Sequence, residues 1–283
     1  MISTSNRKKL FDLLCRNSSP DFIEYLRVYE GLPQPPQESF EISCELVNGI
    51  RVDSMRLAIL WLQRRDVLRW LSECHRKIPF IQEFLFDNKT EGCFGIGLAD
   101  YLSGSGVCRM KIYNFYGSAQ PESRKTAHIQ QAFSLLNIPD VEFMKDWKLF
   151  RKIEVSGIDW DREGQPMIKV YFGPFPIEQL FSGFSKALSK EEFLCYNLLK
   201  ERSMLPETFV FCARYSLNGR SLRTGMRYRT KKFVPYLKMF DNKKEVTKFF
   251  VDFYRIFPSL ELQVITMQWL PIKKMQFYFL LKS

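Results

Sequence analysis

Basic residues recur at one kind of position in this sequence, on the polar side of segments that alternate between apolar and polar residues. In the stretch "MIKVYFG", Ile168, Val170 and Phe172 alternate with Lys169 and Tyr171. Because successive side chains of a strand point to opposite faces, this stretch predicts a strand with one apolar face and one face of lysine and tyrosine. Comparable segments carry a basic residue at four other positions, which are Arg56, Lys111, Arg227 and Lys274.

A cluster of such cations would suit an anionic ligand. Cations on one enclosed face repel one another, and burial makes the repulsion more costly, so we expect an anion of comparable charge to bind there. Tyrosine hydroxyl groups on the same faces, those of Tyr113, Tyr171 and Tyr278, can donate hydrogen bonds to that anion. A diphosphate fits the charge. The alternative is that each cation lies on a solvated strand face, and its repetition along the chain argues against this.

The elements that would position these residues form an internal repeat. The stretch "FEISCELVNGIRVDSMRLAILW" contains two alternating runs joined by Asn48-Gly49, a strong signal for a hairpin. Four further hairpins are predicted, at 93–100 with 108–115, 153–160 with 167–173, 208–216 with 222–229, and 261–269 with 274–281. Stretches with apolar residues at helical spacing separate the hairpins, including 243–257 before the last one.

This order predicts an α+β fold in which five α-β-β-α repeats supply ten antiparallel strands, within a single domain over residues 1–283. An open sheet of that size would leave exposed edges, and closure into a barrel removes them. Helices outside the barrel would cover the apolar strand faces. The polar faces, with their lysines and tyrosines, would then line the lumen.

A carboxylate is predicted opposite one of the lumen cations. A two-residue turn at Asn48-Gly49 pairs Glu41 with Arg56 on the polar face of the first hairpin. Beside a cationic cluster, Glu41 could act as a base towards an acceptor. The alternative is a cross-strand ion pair worth a few tenths to about 1 kcal/mol, and the sequence leaves both interpretations open.

Composition restricts the class of protein. The formal net charge of +11 favours an anionic partner, and a content of 46% hydrophobic residues is enough for a sizeable core. Seven cysteines without a CxxC pair and only two histidines argue against a disulfide framework or a zinc site. No apolar run approaches roughly twenty residues, so we expect a cytoplasmic protein without a membrane partner. A nucleic-acid-binding protein is a further alternative, but the basic residues are spread along the chain and alternate with core positions.

These segments resemble a known family of enzymes. Helix–strand–strand–helix repeats that close a ten-stranded antiparallel barrel resemble the ABBA aromatic prenyltransferases. Within that superfamily the chain looks most like the cyanobactin prenyltransferases, which modify ribosomally made cyclic peptides. The resemblance is carried by the first hairpin and by "GLAD…RMKIYNF", "SGIDWDREGQPMIKVYF", "FVFCAR" and "QFYFLLKS".

The resemblance implies a transferase that moves a dimethylallyl group from dimethylallyl diphosphate, with geranyl diphosphate as the alternative donor, to a side chain of a cyclic peptide. The resemblance does not choose that side chain. We expect an aromatic acceptor, with arginine second because Glu41, Glu45 and Asp100 could hold a guanidinium, and we expect a monomer. The resemblance also implies Glu41 as the base, and Mg²⁺, with unassigned ligands, assisting the diphosphate without an organic cofactor. The implied diphosphate-binding residues are Arg56, Lys111, Tyr113, Lys169, Tyr171, Arg227, Lys274 and Tyr278. A small-molecule aromatic prenyltransferase is the nearest enzymatic alternative.

Donor length is predicted from one further position. Where the family has a Phe at the position of Phe211, that ring closes the isoprenoid pocket, so the resemblance implies a preference for the five-carbon donor. Strict alternation through a turn at Asn218-Gly219 conflicts with this, because it places Arg227 on the face opposite Phe211. Either a bulge intervenes or one of the two assignments is wrong.

Overall fold

The computed structural model describes residues 37–45, 51–73, 81–85, 94–101, 109–160, 166–188, 190–201, 205–230, 260–268 and 274–282, with isolated positions at 20, 23, 24, 27, 28, 203 and 255. The turn at Asn48-Gly49 and most of the predicted helix at 243–257 lie outside these residues.

Strands and helices alternate in the predicted manner through this part of the chain. The strands are β1 (Gln37–Glu45), β2 (Arg51–Leu62), β3 (Phe94–Tyr101), β4 (Arg109–Phe115), β5 (Ile153–Trp160), β6 (Pro166–Pro176), β7 (Thr208–Ser216), β8 (Gly219–Thr230), β9 (Leu260–Gln268) and β10 (Lys274–Lys282). The helices are α1 (Arg64–Glu73), α2 (Ile81–Phe84), α3 (Glu122–Leu135), α4 (Val141–Phe150), α5 (Glu178–Ser182) and α6 (Lys190–Glu201), with a 3₁₀ turn at Ser185–Ala187.

All strand pairs are antiparallel, and consecutive strands are neighbours from β1 to β10. Strand β1 pairs with β2 on one side and with β10 on the other, so the sheet closes on itself as a barrel. The predicted α+β class with an antiparallel sheet agrees with this arrangement. The described helices are too short or too polar to cross a membrane.

The main described core lies between the barrel wall and helices α3 and α4. Ile168, Val170 and Phe172 of β6 are fully buried, as the alternation predicts. The Phe172 ring lies 4.9 Å from that of Phe150 and 6.4 Å from that of Phe143, both in α4. Burying one such aromatic side chain contributes about 1.5–3 kcal/mol, so this layer fixes the outer face of the sheet.

Polar contacts anchor α4 to the hairpin of β7 and β8. The Tyr215 hydroxyl donates to Asp146 Oδ2 at 2.6 Å, and Arg220 Nε donates to the same oxygen at 2.6 Å. Asp146 is buried within α4. Because a buried carboxylate requires such partners, these bonds hold the helix in one position on the sheet.

The first hairpin has the register that the sequence predicts at its most important pair. Glu41 lies opposite Arg56 in the β1–β2 ladder, and Glu41 also lies opposite Tyr278 in the β1–β10 ladder. The register shifts between Ser43 and Cys44, nearer the turn. Counting from the turn therefore gives the correct partner for Glu41 but not for Cys44.

The fourth hairpin turns one residue earlier than predicted. Ser216 pairs with Gly219, which puts Leu217-Asn218 at the turn instead of Asn218-Gly219. Gly219 has a φ of +116°, a conformation that glycine adopts readily and other residues do not, so it opens the returning strand. The ladder has no irregularity from there to Arg227, which lies opposite Thr208. No bulge intervenes, and Arg227 and Phe211 lie on opposite faces of the sheet.

Candidate functional site in the barrel lumen

Strand register shows which residues share the lumen face of the sheet with Lys169. Tyr113 of β4 lies opposite Gly157 of β5, which lies opposite Lys169 of β6, which lies opposite Arg214 of β7. Phe172 of β6 packs against α4 on the outside, and Lys169 alternates with it. Lys169 and the residues aligned with it therefore face the lumen.

Lys111, Lys169 and Asp159 form a buried charged cluster in that lumen. The exposed fraction is 2% for Lys111, 2% for Lys169 and 1% for Asp159. Asp159 Oδ2 lies 2.9 Å from Lys169 Nζ and 3.8 Å from Lys111 Nζ. The prediction placed Lys111 and Lys169 in the lumen and missed the aspartate between them. With Arg214 alongside, three cations share one carboxylate, so the cluster keeps a net positive charge.

The electrostatics of the cluster favour an anion. Burial alone would raise the pKa of the Asp159 carboxyl, but the charges of Lys111, Lys169 and Arg214 outweigh it and hold that pKa well below its usual range. Burial lowers the pKa of the Lys169 ammonium, Arg214 and Lys111 lower it further, and Asp159 opposes them. An incoming anion would stabilise the charged form of Lys169 in the same way as Asp159 does.

Tyrosines lie beside this cluster. The rings of Tyr113 and Tyr171 meet edge to face, with centroids 6.5 Å apart. Burial raises the pKa of the Tyr171 hydroxyl well above its usual value, and Cys212, Tyr113 and Tyr278 act in the same direction. Tyr171 therefore keeps its proton and can donate a hydrogen bond, and its role in binding an anion stays a prediction.

Two glycines give the Tyr113 ring its place against the barrel wall. A Cβ atom added at Gly157 would lie 2.8 Å from Tyr113 Cδ1, and one added at Gly97 would lie 3.2 Å from Tyr113 Cε2. Such distances are below normal van der Waals contact, so a side chain at Gly157 would displace the ring. The glycines on β3 and β5 thus decide how far Tyr113 reaches into the lumen.

Arg227 lies on the lumen side but has a different partner from the one predicted. Its Nη2 donates to Glu154 Oε2, and both side chains are partly exposed. Glu154 precedes the lumen-facing part of β5, next to the register shift between Ile153 and Val155. To bind diphosphate as predicted, the Arg227 guanidinium would have to break its ion pair with Glu154 or contact both groups at once.

Three predicted site residues are placed by their backbones alone. Glu41, Arg56 and Lys274 belong to β1, β2 and β10, and their side chains lie outside the described part of the structure. The ladder from Arg227 through Val264 and Tyr278 reaches Glu41 and then Arg56. Their positions therefore share the face of Arg227, and Lys274, which alternates with Tyr278 along β10, shares it too.

Phe211 does not lie in the lumen, so the prediction that it closes the prenyl pocket is wrong. Its side chain is fully buried, and its ring stacks on Phe150 of α4 with a centroid distance of 4.4 Å. It lies opposite Phe172, on the helix side of the sheet. The lumen side of β7 carries Val210 and Cys212 instead.

The described residues do not fit a magnesium site held by the protein. Among the described side chains, no group of three carboxylates, thiols or imidazoles comes together. Asp159 is the carboxylate beside the lysines, and an ammonium already lies 2.9 Å from it. A divalent cation would have to compete with that ammonium, and Mg²⁺ also demands near-octahedral geometry.

Asp159 and Arg214 are charged lumen residues that the sequence prediction missed, and it also missed Glu154, the partner of Arg227. Asp159 is two residues from Gly157 and next to Ile158 in the sequence. Strand alternation therefore puts Asp159 on the same face as Gly157 and on the other face from Ile158, and this signal could have placed it on the polar face. Arg214 alternates in the same way with Cys212. Glu154 gives no such signal, because the register shift at the start of β5 interrupts the alternation.

Known proteins resemble this chain in their three-dimensional structure and not in their sequence. No family model and no curated protein sequence matches the chain. A solved 6-dimethylallyl tryptophan synthase aligns with a TM-score of 0.69 at 10% identity, covering 99% of this chain and 96% of the synthase. The 5-dimethylallyltryptophan synthase from Streptomyces coelicolor gives 0.62 at 12% identity, covering 93% and 92%. NotF in complex with brevianamide F and DMSPP gives 0.64 at 9% identity, covering 99% and 95%. This chain therefore has the fold of aromatic prenyltransferases.

Proposed function

We propose that this chain is a prenyltransferase that transfers a dimethylallyl group from dimethylallyl diphosphate to a side chain of a ribosomally made cyclic peptide. The observation that carries the proposal is the buried, net positive cluster of Lys111, Lys169, Arg214 and Asp159, placed next to tyrosine rings inside the barrel. The fold shared with dimethylallyltryptophan synthases supports the reaction class. The hairpin motifs support the peptide acceptor.

The first task of the site is to bind and neutralise the diphosphate. Lys111, Lys169 and Arg214 supply positive charge, and Tyr171 supplies a hydroxyl donor. Each charged contact at about 4 Å is worth on the order of 1–4 kcal/mol in a partly screened site. Because negative charge accumulates on the diphosphate as the allylic C–O bond breaks, these contacts stabilise the transition state more than the bound donor.

The second task is to protect the allylic cation. The rings of Tyr113 and Tyr171 present π faces and edges next to the cluster, and an aromatic face attracts a cation. Buried walls keep water from capturing the cation before the acceptor does. Tyr113 and Tyr171, and Tyr278 by its nearness to Tyr171, thus serve the cation as well as the diphosphate.

The third task is to accept a proton from the acceptor. After the diphosphate has departed, the nucleophilic atom of the peptide side chain forms a bond to the allylic cation, and Glu41 takes the proton that the nucleophile loses. Its backbone position between Arg56 and Tyr278 supports this role. We propose an aromatic acceptor side chain, with arginine as the second choice because Glu41 and Glu45 could hold a guanidinium.

A small-molecule aromatic acceptor is the second candidate. The structural relatives include synthases of dimethylallyltryptophan and a complex that contains brevianamide F, and these favour it. In either case we propose one catalytic domain, acting as a monomer. We place it in the cytoplasm, a compartment that keeps thiols such as that of Cys212 reduced.

An acceptor panel tests the proposal. The protein is incubated with dimethylallyl diphosphate and with cyclic peptides, linear peptides, tryptophan and cyclic dipeptides, and products are read by tandem mass spectrometry. We expect one dimethylallyl mass gain on a cyclic peptide, located on one side chain. Transfer to free tryptophan alone would favour the second candidate, and no transfer to any acceptor would contradict both.

A further inference from the structure

We propose that Asp159 is a positioning residue for the donor diphosphate, which keeps Lys169 charged and directed towards the diphosphate site before the donor arrives. This inference rests on the proposed function and deepens it. It concerns a residue to which none of the three tasks above assigns a part, since the positive charge is assigned to Lys111, Lys169 and Arg214 and the proton transfer to Glu41.

The geometry gives Asp159 control over Lys169. Asp159 Oδ2 lies 2.9 Å from Lys169 Nζ, and both side chains are almost completely buried. Lys111 Nζ is farther from the same oxygen, at 3.8 Å. A lysine chain has four rotatable carbons and no fixed direction of its own, so a carboxylate at this distance selects one direction for it. The neighbouring strand β5 thereby sets where the ammonium of β6 stands.

The surroundings of Lys169 explain why it needs this partner. Arg214 and Cys212 approach it from β7, Lys111 and Tyr113 from β4, and Tyr171 lies on its own strand. Two of these neighbours are cations, and both disfavour a further positive charge. Among the groups that act on it, Asp159 makes the leading contribution in favour of the charged form, and Cys212 adds a smaller one.

The Asp159 carboxylate must also repel a diphosphate. The proposal therefore predicts that the effect of removing this charge on diphosphate affinity depends on pH. Replacing Asp159 by asparagine removes a negative charge, so pyrophosphate binds at least as tightly where Lys169 stays protonated. The replacement also removes the support for the Lys169 charge, so that charge is lost at a lower pH than in the wild type. The effect of Asp159→Asn on affinity is therefore expected to change with pH, from neutral or favourable in acid to unfavourable in alkali.

The test is calorimetric titration with inorganic pyrophosphate between about pH 6 and about pH 9. Affinities of Asp159→Asn are divided by wild-type affinities at each pH, which cancels the ionisation of pyrophosphate itself. We expect the ratio to fall by at least tenfold across this range, which corresponds to about one pKa unit. Asp140→Asn, which removes a carboxylate outside the lumen, serves as the control and should give a constant ratio.

A rescue variant separates positioning of charge from a merely structural role. Arginine does not lose its proton in proteins, so Asp159→Asn combined with Lys169→Arg should give a ratio that no longer falls with pH. A ratio that is constant for Asp159→Asn, whether reduced or unchanged, would overturn the proposal. So would a double variant that falls as steeply as the single one.

Two further arms keep the outcome clear. If Asp159→Asn does not fold, Lys169→Arg alone should shift the alkaline loss of pyrophosphate affinity to higher pH, and an unshifted profile would overturn the proposal. The titration needs no prenyl transfer, so the expected pH signature without any transfer product would support this inference while the proposed function failed. Transfer products with a constant ratio would overturn the inference alone.

Discussion

Four charged residues decide what the lumen can bind. Lys111 and Lys169 beside Asp159 already leave one positive charge in excess, and Arg214 adds a second. Breaking a buried pair leaves an uncompensated charge and is strongly destabilising. Lys169, at 2.9 Å from Asp159, is thus a poorer target for testing donor binding than Lys111, at 3.8 Å.

At the same scale, Glu41→Gln tests the proposed base. The change is nearly isosteric and removes the carboxylate, so donor binding should survive while alkylation slows by roughly 10²- to 10⁴-fold. Donor binding is measured by calorimetry and alkylation by single-turnover product mass. Glu45→Gln on the same strand is the matched control, with a smaller effect expected.

Two results would revise the role of Glu41. If donor binding is lost with the Gln variant, Glu41 organises Arg56, which lies opposite it, and does not transfer the proton. If the single-turnover rate is unchanged, another group is the base.

Among the elements, β7 has one face that packs against helix α4 and one face that lines the lumen. Phe211 packs against α4, and its neighbour Val210 faces the lumen. We expect Phe211→Ala to lower the free energy of unfolding by about 3–5 kcal/mol, as for other buried Phe residues, and to leave the ratio of geranyl to dimethylallyl transfer unchanged. Val210→Ala should instead raise that ratio, because it enlarges the lumen.

Urea unfolding and a competition assay with both donors check this pair. The account of the two faces would be contradicted if Phe211→Ala changed donor choice while Val210→Ala did not. That result would indicate that Phe211 lines the prenyl pocket after all.

Strand β5 sets the position of a lumen ring through Gly157. The added methyl of Gly157→Ala would lie 2.8 Å from Tyr113 Cδ1 and push the ring into the lumen, so turnover should fall by at least tenfold. Gly117→Ala is the matched control, because a Cβ atom there meets nothing within 4 Å. Steady-state kinetics with the best acceptor from the panel measure both.

The cause of that loss can be separated from general damage to the strand. Tyr113→Ala removes Cδ1 with the rest of the ring, so Gly157→Ala should cost less thermal stability in the Tyr113→Ala background than in wild type, without recovering turnover. Part of the cost should remain, because the Ile112 carbonyl oxygen lies 3.0 Å from the added methyl. Equal stability of Gly157→Ala and wild type, with unchanged turnover, would show that the ring moves without consequence.

A buried network joins α3 to the sheet outside the lumen. His128 Nε2 donates to the Phe84 carbonyl at 2.7 Å, and Nδ1 accepts from the Tyr116 hydroxyl at 2.7 Å. Ser156 Oγ lies 2.6 Å from the same hydroxyl. Burial lowers the pKa of His128 from 6.5 to about 4, against the smaller opposing effect of its bond to Phe84.

The sign of the resulting pH dependence follows from the two pKa values. Between about pH 6.5 and about pH 4 the unfolded chain binds a proton at His128 and the folded protein does not, so stability falls as the pH decreases through this range. The loss should be on the order of 3 kcal/mol. Urea unfolding at several pH values should show it in wild type, and His128→Phe should be less stable at pH 7 but lack this part of the pH dependence. An identical pH dependence in both would contradict the assignment.

At the scale of the whole molecule, the sequence predicts the hairpins and the polar face well. Alternation in "MIKVYFG" places Lys169 correctly, and counting residues from the predicted turn gives the correct partner for Glu41, although the register shifts between Ser43 and Cys44. The placement of Lys169 follows from a local signal, the strand period.

The features that the sequence does not predict include contacts that depend on the register of more than one strand pair. Asp159 meets Lys169 and Lys111 through two ladders, and the contact follows only when both registers are known. Phe211 was assigned by resemblance against the alternation of its own strand, and the alternation was correct. The turn at Leu217-Asn218 was missed because Gly219 begins the strand instead of completing the turn.

The central claim, that a prenyl diphosphate binds to the lumen cations, is tested most directly by titrating a non-hydrolysable analogue of dimethylallyl diphosphate into wild type and Lys111→Met. Lys169 stays paired with Asp159 in this variant, so the fold should survive. Lys145→Met, an exposed change in α4, is the control. We predict one binding site in wild type and in the control, and affinity at least tenfold weaker, about 1.4 kcal/mol, in Lys111→Met. Absence of binding to wild type, or equal affinity in all three proteins, would contradict the account.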